Sequence, residues 1–332
     1  MSDNPSQTKA SRLIQIEALL LAHSEGLTQA EIARRLNVNR STILRYMADI
    51  AAPIYQDGQK YFIDRESYLI NVRFSLHEAL SVHLAARLLA TRMDRQNPHA
   101  AAALRKLGLS LETLAPRIST HLQQSADVMD DASRHMDAVY LAALEKLTLA
   151  WAEQHKARIW YKSEHTKEVK VYNFSVYFIE PYAVGQSTYA IGFSEPQNAM
   201  RTFKIERIQR VETLRDTYEI PGDFDPTNLL ADAWGIWYTD KEPVEVVLKF
   251  GPRVAGRVGE TQWHRSEQAS ELEDGSLLWR AWIAEPQEMM PWIRGWGAEV
   301  EVLAPEGLRN AIKSEVERLS KLYLGEEKDA GE

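Results

Sequence analysis

Two helix-start signals eleven residues apart near the amino terminus leave this chain few ways to fold there. Thr28-Gln29-Ala30-Glu31 has the residue types of a capping box, with Leu27 and Ile32 placed as its hydrophobic staple. The helix expected over 29–36 buries Ile32, Ala33 and Leu36. Asn37-Val38 makes a turn, and Asn39 caps a further helix over 40–50, with Val38 and Ile43 as a second staple. Upstream, residues 11–23 carry Leu13, Ile14, Ile16, Leu19, Leu20 and Leu21 as a helical stripe that Glu25-Gly26 stops. Downstream, 53–56 and 59–63 flank Asp57-Gly58, a hairpin signal.

Three short helices with a tight last connection, followed by a hairpin, form the order of a winged helix-turn-helix. In that motif the second element enters the major groove of duplex DNA. The face it would present agrees: Arg40, Ser41 and Thr42 occupy its first turn, with Arg45 and Tyr46 one turn on. Arg34, Arg35, Arg40 and Arg45 fall within twelve positions that contain no acid. With Asn39 at the helix start and Lys60 on the wing, these are the expected contacts to double-stranded operator DNA. A small helical domain used for protein contacts is the alternative, and the pattern of apolar Ala33, Val38 and Ile43 against polar 40–42 weighs against it.

The net charge of −8 does not argue against nucleic acid, because it is unevenly spread. Residues 1–65 carry 8 Lys/Arg against 7 Asp/Glu, and 156–220 carry 10 against 8, whereas 221–332 carry 12 against 22. A phosphate feels the local field. Cysteine is absent, which removes disulfides, thiolate nucleophiles and cysteine metal sites and suits a cytoplasmic location. No apolar run approaches the roughly 18 residues of a membrane span, and the first eleven residues lack a signal-peptide core. The nine His are scattered, so neither metal nor cofactor is expected. Gly-x-Ser-x-Gly, Walker, dinucleotide and His-Glu-x-x-His motifs are all missing, and no catalytic residue is assigned. The expectation is a regulator and not an enzyme.

The middle of the chain is Ala- and Leu-rich and helical: 75–94 behind a Ser75-Leu76-His77-Glu78 capping box, then 97–108, 109–124 with Pro116 near a start, and 132–155. His77, His83, His99, His121 and His135 read as surface or boundary residues. Such a region suits a spacer and dimerisation element, since helix-turn-helix readers commonly work as two-fold pairs.

A sheet follows. Strands are expected from 158 and within 171–184, then as a pair within 186–214, and 213–218 leads out. The last of the pair places Phe203 and Ile205 on the same parity as Arg201 and Arg207, with Lys204 and Arg210 beside them. Arginine needs partners for its donors wherever it is sheltered. This strand is therefore either a solvated edge or an anion-binding surface.

The order Ile159-x-Tyr161, Glu180-Pro181-Tyr182, Tyr189-Ala190-Ile191-Gly192 and Arg201-Thr202-Phe203-Lys204-Ile205-x-Arg207-Ile208 resembles the WYL domain, an Sm-like β-barrel. With the reader before it and a further module after it, the chain resembles a WYL-domain transcriptional regulator. It departs from the family at Thr188-Tyr189-Ala190, where Trp-Tyr-Leu is common, and at Lys204, where many relatives carry Arg. The resemblance implies an effector pocket of Tyr161, Tyr182, Tyr189, Arg201, Lys204 and Arg207. The implied effector is single-stranded nucleic acid or a nucleotide-like ligand. The alternatives are a defence- or stress-associated nucleic-acid sensor, or a regulator answering to a small metabolite.

Residues 221–240 read as a linker. Beyond them strands at 244–250, 262–267, 276–283 and 298–303 alternate with helices at 252–258 and 286–295, before a final helix over 305–324. That β-α-β-β-α-β order is ferredoxin-like. Trp263, Trp279, Trp282, Trp292 and Trp296 are expected in its core and interfaces. The expected chain is thus α+β and multidomain: a winged helix-turn-helix over 1–66, a helical linker over 67–155, a small Sm-like β-barrel over 156–220, and a ferredoxin-like carboxyl-terminal module over 241–325.

Overall fold

The computed structural model describes residues 9–70, 72–92, 96–131, 133–164, 167–182 and 187–325. Mixed helix and antiparallel sheet form two compact units, one of residues up to 87 with 98–129, the other of 88–97 with residues from 130 onward.

The first unit opens with α1 (Lys9–Leu21), β1 (Leu27–Thr28), α2 (Gln29–Arg35) and α3 (Arg40–Met47), then a hairpin of β2 (Ile54–Asp57) and β3 (Lys60–Ile63). The capping box is closed in both directions: the Thr28 hydroxyl accepts the Glu31 N–H at 3.3 Å, and the Glu31 carboxylate accepts the Thr28 N–H at 2.7 Å. Asn39 stands at the N-cap of α3 without a side-chain cap bond, so its amide is not spent on the helix. The hairpin turns at Gly58, whose φ of +58° suits glycine. β1 adds to β3, giving the order β1-β3-β2. Ile16, Leu20, Leu27, Ile32, Ala33, Ile43 and Ile63 pack as one core beneath these elements.

Three helices follow, α4 (Leu76–Arg92), whose residues up to Arg87 belong to this unit, α5 (Pro98–Leu111) and α6 (Pro116–Met129). Ser75 and Glu78 cap α4 reciprocally, at 2.7 and 3.3 Å, and the expected end of this helix at Asp94 lies outside the described residues. The break expected at 108/109 is absent. α5 runs through Gly108, which is buried where α6 packs, a Cβ there lying 3.4 Å from Leu122 Cβ. His83 also departs from its surface assignment: it is fully buried, with its ring 5.0 Å from that of His121.

In the second unit α7 (Ala138–Glu153) starts where the Asp137 carboxylate accepts the Tyr140 N–H at 2.9 Å, later than the expected 132, a residue outside those described. It packs on a five-stranded antiparallel sheet of β4 (His155–Lys162), β5 (Val169–Tyr182), β6 (Ser187–Ser194), β7 (Ala199–Lys204) and β8 (Ile208–Thr217). The strand order is β7-β6-β5-β4-β8. The continuous strand expected across 200–214 is therefore two strands, separated by a 3₁₀ turn over Ile205–Arg207. β7 and β8 stand at opposite ends of the order yet are joined by three residues, so the sheet must curl until its ends approach. Phe203 fills the interior, its ring 4.9–5.0 Å from those of Tyr161, Tyr172 and Phe174. Gly192 lies opposite a bulge between Val176 and Phe178, and a Cβ there would run into the Ser175 carbonyl.

α8 (Pro226–Leu229) follows, then β9 (Val244–Phe250), α9 (Pro252–Gly259), β10 (Gln268–Glu271), β11 (Leu277–Ile283), α10 (Met290–Trp296), β12 (Val300–Ala304) and α11 (Glu306–Leu324). These four strands form an antiparallel sheet in the order β10-β11-β9-β12. The strand expected at 262–267 is a loop, because the Glu267 carboxylate gathers the N–H groups of Trp263 at 2.7 Å and His264 at 3.0 Å together with the Trp279 indole at 3.1 Å. Trp279 is buried, with Trp263, Trp292 and Trp296 packed against its core. Trp282 lies outside that core and is partly exposed.

Candidate ligand cleft and nucleic-acid interface

On the reader, Arg34, Arg35, Asn39, Arg40, Ser41 and Arg45 are exposed and Thr42 is half-buried. Arg34, Asn39 and Arg40 line a hollow of about 430 Å³ between α2 and α3. Lys60 Nζ donates to the Glu25 carbonyl at 2.9 Å, and Arg35 contacts the His23 ring. Tyr46 corrects the sequence reading. It is only 7% exposed, because it stands three residues after buried Ile43 and shares the inner face of α3. Arg45 instead sits with its guanidinium 5.5 Å from the Tyr46 ring centre. The sequence reading passed over Leu44, which is 57% exposed one turn after Arg40, and Tyr55, exposed on the wing and stacked on Phe62 at 5.2 Å. Helical spacing from Arg40 was the available signal for Leu44. The face thus offers guanidinium, amide and hydroxyl groups for phosphates and base edges, and an apolar group suited to a thymine methyl.

The second unit holds a cleft of about 540 Å³. Of the six expected pocket residues, Tyr161, Tyr189, Arg201, Lys204 and Arg207 line it together. The local reason is the turn at 205–207, which ends β7 and returns Arg207 toward the same opening as Arg201 and Lys204. Arg207 pairs with Glu164, and Tyr161 lines the cleft beside them. Burial pushes the Tyr189 hydroxyl pKa up, so that group stays a neutral donor.

Tyr182 is the exception. It does not line the cleft but packs edge-on against Tyr189 at 6.2 Å and lies under Gly235, where any Cβ would overlap its ring. Its pKa is pushed up to about 12 by burial and then by the nearby Glu288 charge. Arg210 is directed elsewhere as well, over the Trp160 ring at 4.6 Å and near Glu212.

Most of the remaining lining comes from the interval expected to be a linker. Ile236, Trp237, Tyr238 and Glu285 line the cleft. Trp237 is 50% exposed and Ile236 is buried. Tyr238 stands near Thr202 on β7, and burial raises its pKa. Glu288, only 3% exposed, holds this segment by its backbone: its carboxylate accepts the N–H of Gly235 at 2.9 Å, of Ile236 at 2.8 Å and of Trp237 at 3.2 Å. Burial raises the Glu288 pKa against the opposing pull of those three donors. The run Trp234 to Tyr238 was the missed signal, being too apolar for a solvated linker.

Among the described residues no cluster of three or more His, Asp or Glu is placed to hold a metal ion, and no helix is long and apolar enough to cross a membrane.

Three family profiles match the chain: an HTH domain over residues 12–55, a WYL domain over 142–213 and a WCX domain over 242–320. In that order they make it a WYL-domain helix-turn-helix transcriptional regulator, a class that binds DNA. Among solved structures it is similar to the proteasome accessory factor B/C (PafBC) of Arthrobacter aurescens, at 18% identity and a TM-score of 0.32. That match covers 96% of this chain and 49% of the other, so the chain spans about half the length of that relative. A structure described as a CRISPR Cas-related protein is similar at 10% identity and a TM-score of 0.42, with 79% of this chain and 89% of that one covered. No match was found among curated proteins.

Proposed function

We propose that the chain is an effector-responsive regulator in which α3 and the wing read an operator, and the cleft beside β7 reads an anionic, nucleotide-like signal such as single-stranded DNA. The observation that carries this reading is the convergence of Arg201, Lys204 and Arg207 with Tyr161 and Tyr189 on one opening. Guanidinium forks bind phosphates, and aromatic faces stack bases at about 1–3 kcal/mol each. DNA contacts are assigned to Arg34, Arg35, Asn39, Arg40, Ser41, Thr42, Arg45 and Lys60, with Leu44 added.

The proposed divisions are a winged reader over 1–66, helices over 67–155, an Sm-like barrel over 156–220 and a ferredoxin-like module over 241–325. Strand orders β7-β6-β5-β4-β8 and β10-β11-β9-β12 support the last two names. Exposed Leu69, Ile70, Val72, Phe74, Val82 and Leu84 support a homodimer formed through the helical region. An effector alters operator affinity only through unequal affinity for two states of the protein. The test is operator binding with and without a short single-stranded oligonucleotide, for wild type and Arg207→Ala. A shift in wild type that Arg207→Ala lacks is expected, and an unchanged wild type refutes the reading.

A further inference from the structure

Three residues that line the cleft with the cations, Ile236, Trp237 and Tyr238, lie outside both matched ranges of the second unit, in the interval 214–241 between the WYL and WCX domains. Its construction is unlike that of a passive connection. Three consecutive backbone N–H groups, of Gly235, Ile236 and Trp237, converge on the single buried carboxylate of Glu288. Gly235 is closed against the Tyr182 ring with no room for a side chain. Ile236 is buried, while Tyr238 is half-buried near Thr202 on β7. The backbone up to Trp237 is thus held, yet Trp237 itself is half exposed and lines the cleft together with Arg201, Lys204 and Arg207. What sets this ring apart from other exposed apolar side chains is its place: it lies in the cleft with three cations on a held backbone, where its face can stack a planar group.

We infer that Trp237 is a stacking surface of the effector site and that Glu288 is the residue that positions it. The ligand class then narrows to anions that carry a planar base, with phosphate on the cationic wall and the base against the indole. An inorganic anion or an aliphatic carboxylate would use the cations alone. Glu285, which lines the same cleft, is an acceptor for a base N–H. This inference rests on the sensor reading above, and its test keeps the two apart.

The full chain is titrated with a fluorescein-labelled single-stranded pentathymidylate, and inorganic pyrophosphate is used as a competitor that needs only the cations. Trp237→Ala is expected to weaken the pentathymidylate about tenfold, the scale of one lost stacking contact. Trp237→Phe, which keeps a ring, should stay within about threefold of wild type. Glu288→Gln replaces one accepting oxygen with a donating amide facing the same N–H groups. It should weaken the pentathymidylate several-fold and leave the pyrophosphate competition within about twofold. A folding defect would lower both probes together, so equal loss in Glu288→Gln overturns the positioning role. If Trp237→Ala and Glu288→Gln bind the pentathymidylate as wild type does while Arg207→Ala fails, this inference is wrong and the sensor reading stands. If wild type binds pyrophosphate but no pentathymidylate, the base-bearing ligand falls for both.

Discussion

Arg207 and Glu164 are ion-paired within the cleft, which Tyr161 lines beside them. The carboxylate therefore occupies the charge that an incoming phosphate needs. Both side chains keep contact with water, so the pair itself adds little to stability. Its consequence is competition. Glu164→Gln should raise the affinity for a short single-stranded oligonucleotide about threefold, and Arg207→Ala should lower it and reduce the salt slope by about 0.7, one phosphate's worth for a single strand. Fluorescence anisotropy over a salt series reads both, and an unchanged Glu164→Gln would remove the carboxylate from the site's energetics.

On the reader, Arg40 and Arg45 are exposed on α3 and Leu44 lies between them. Replacing either arginine with alanine should weaken operator binding. A phosphate contact would show as a salt slope reduced by about 1, and a base contact as a loss of about 1–3 kcal/mol confined to the correct sequence. Leu44→Ala should change preference at one A·T position and leave the salt slope alone. Competition between operator and scrambled duplex at several salt concentrations separates these outcomes.

The reciprocal cap of α2 sets the orientation of the helix pair. Thr28→Ala removes the acceptor for the Glu31 N–H and should cost about 1 kcal/mol, whereas Thr28→Ser should cost less than half of that. Urea unfolding followed by circular dichroism measures the difference. The Glu31 pKa is lowered by the Thr28 backbone and then by its hydroxyl. This contribution is therefore complete above the usual carboxylate range and fades as pH falls through the lowered value.

His83 carries a pH dependence of its own. Burial, then the facing charges of His121 and Arg87, hold its pKa below the usual 6.5, and neither ring nitrogen has a hydrogen-bond partner among the described residues. A folded-state pKa below the unfolded one means that protonation favours unfolding. Stability should be full above about pH 6.5 and decline as pH falls from there toward the folded-state value. His83→Leu should flatten that decline while changing stability at pH 8 by less than about 1 kcal/mol. Thermal unfolding between pH 5 and 8, compared for the two proteins, decides it.

Local signals carried the reader. Thr28, Glu31, Ser75 and Glu78 cap the helices they were expected to cap, because a capping box acts within four residues and needs no distant partner. The resemblance carried by Tyr161, Tyr189, Arg201, Lys204 and Arg207 also led to one cleft. Failures came where distant groups intervene. Tyr46 has a reader's chemistry, yet it lies on the inner face of α3. The strand expected at 262–267 is a loop because Glu267 is used to bind amides and an indole.

The sequence by itself determined the domain order, the starts of α2, α3 and α4, and the basic residues that a strand near 200 would carry. Each depends on periodicity or on contacts within one turn, which neighbouring residues encode. Only the tertiary structure decided that Arg201 and Arg207 leave a common strand and meet at one cleft across a 3₁₀ turn. It alone turned the interval expected to be a linker into part of the cleft lining. That part depends on Glu288, some fifty residues beyond the amides it holds, and a carboxylate so far along the chain has no local signature.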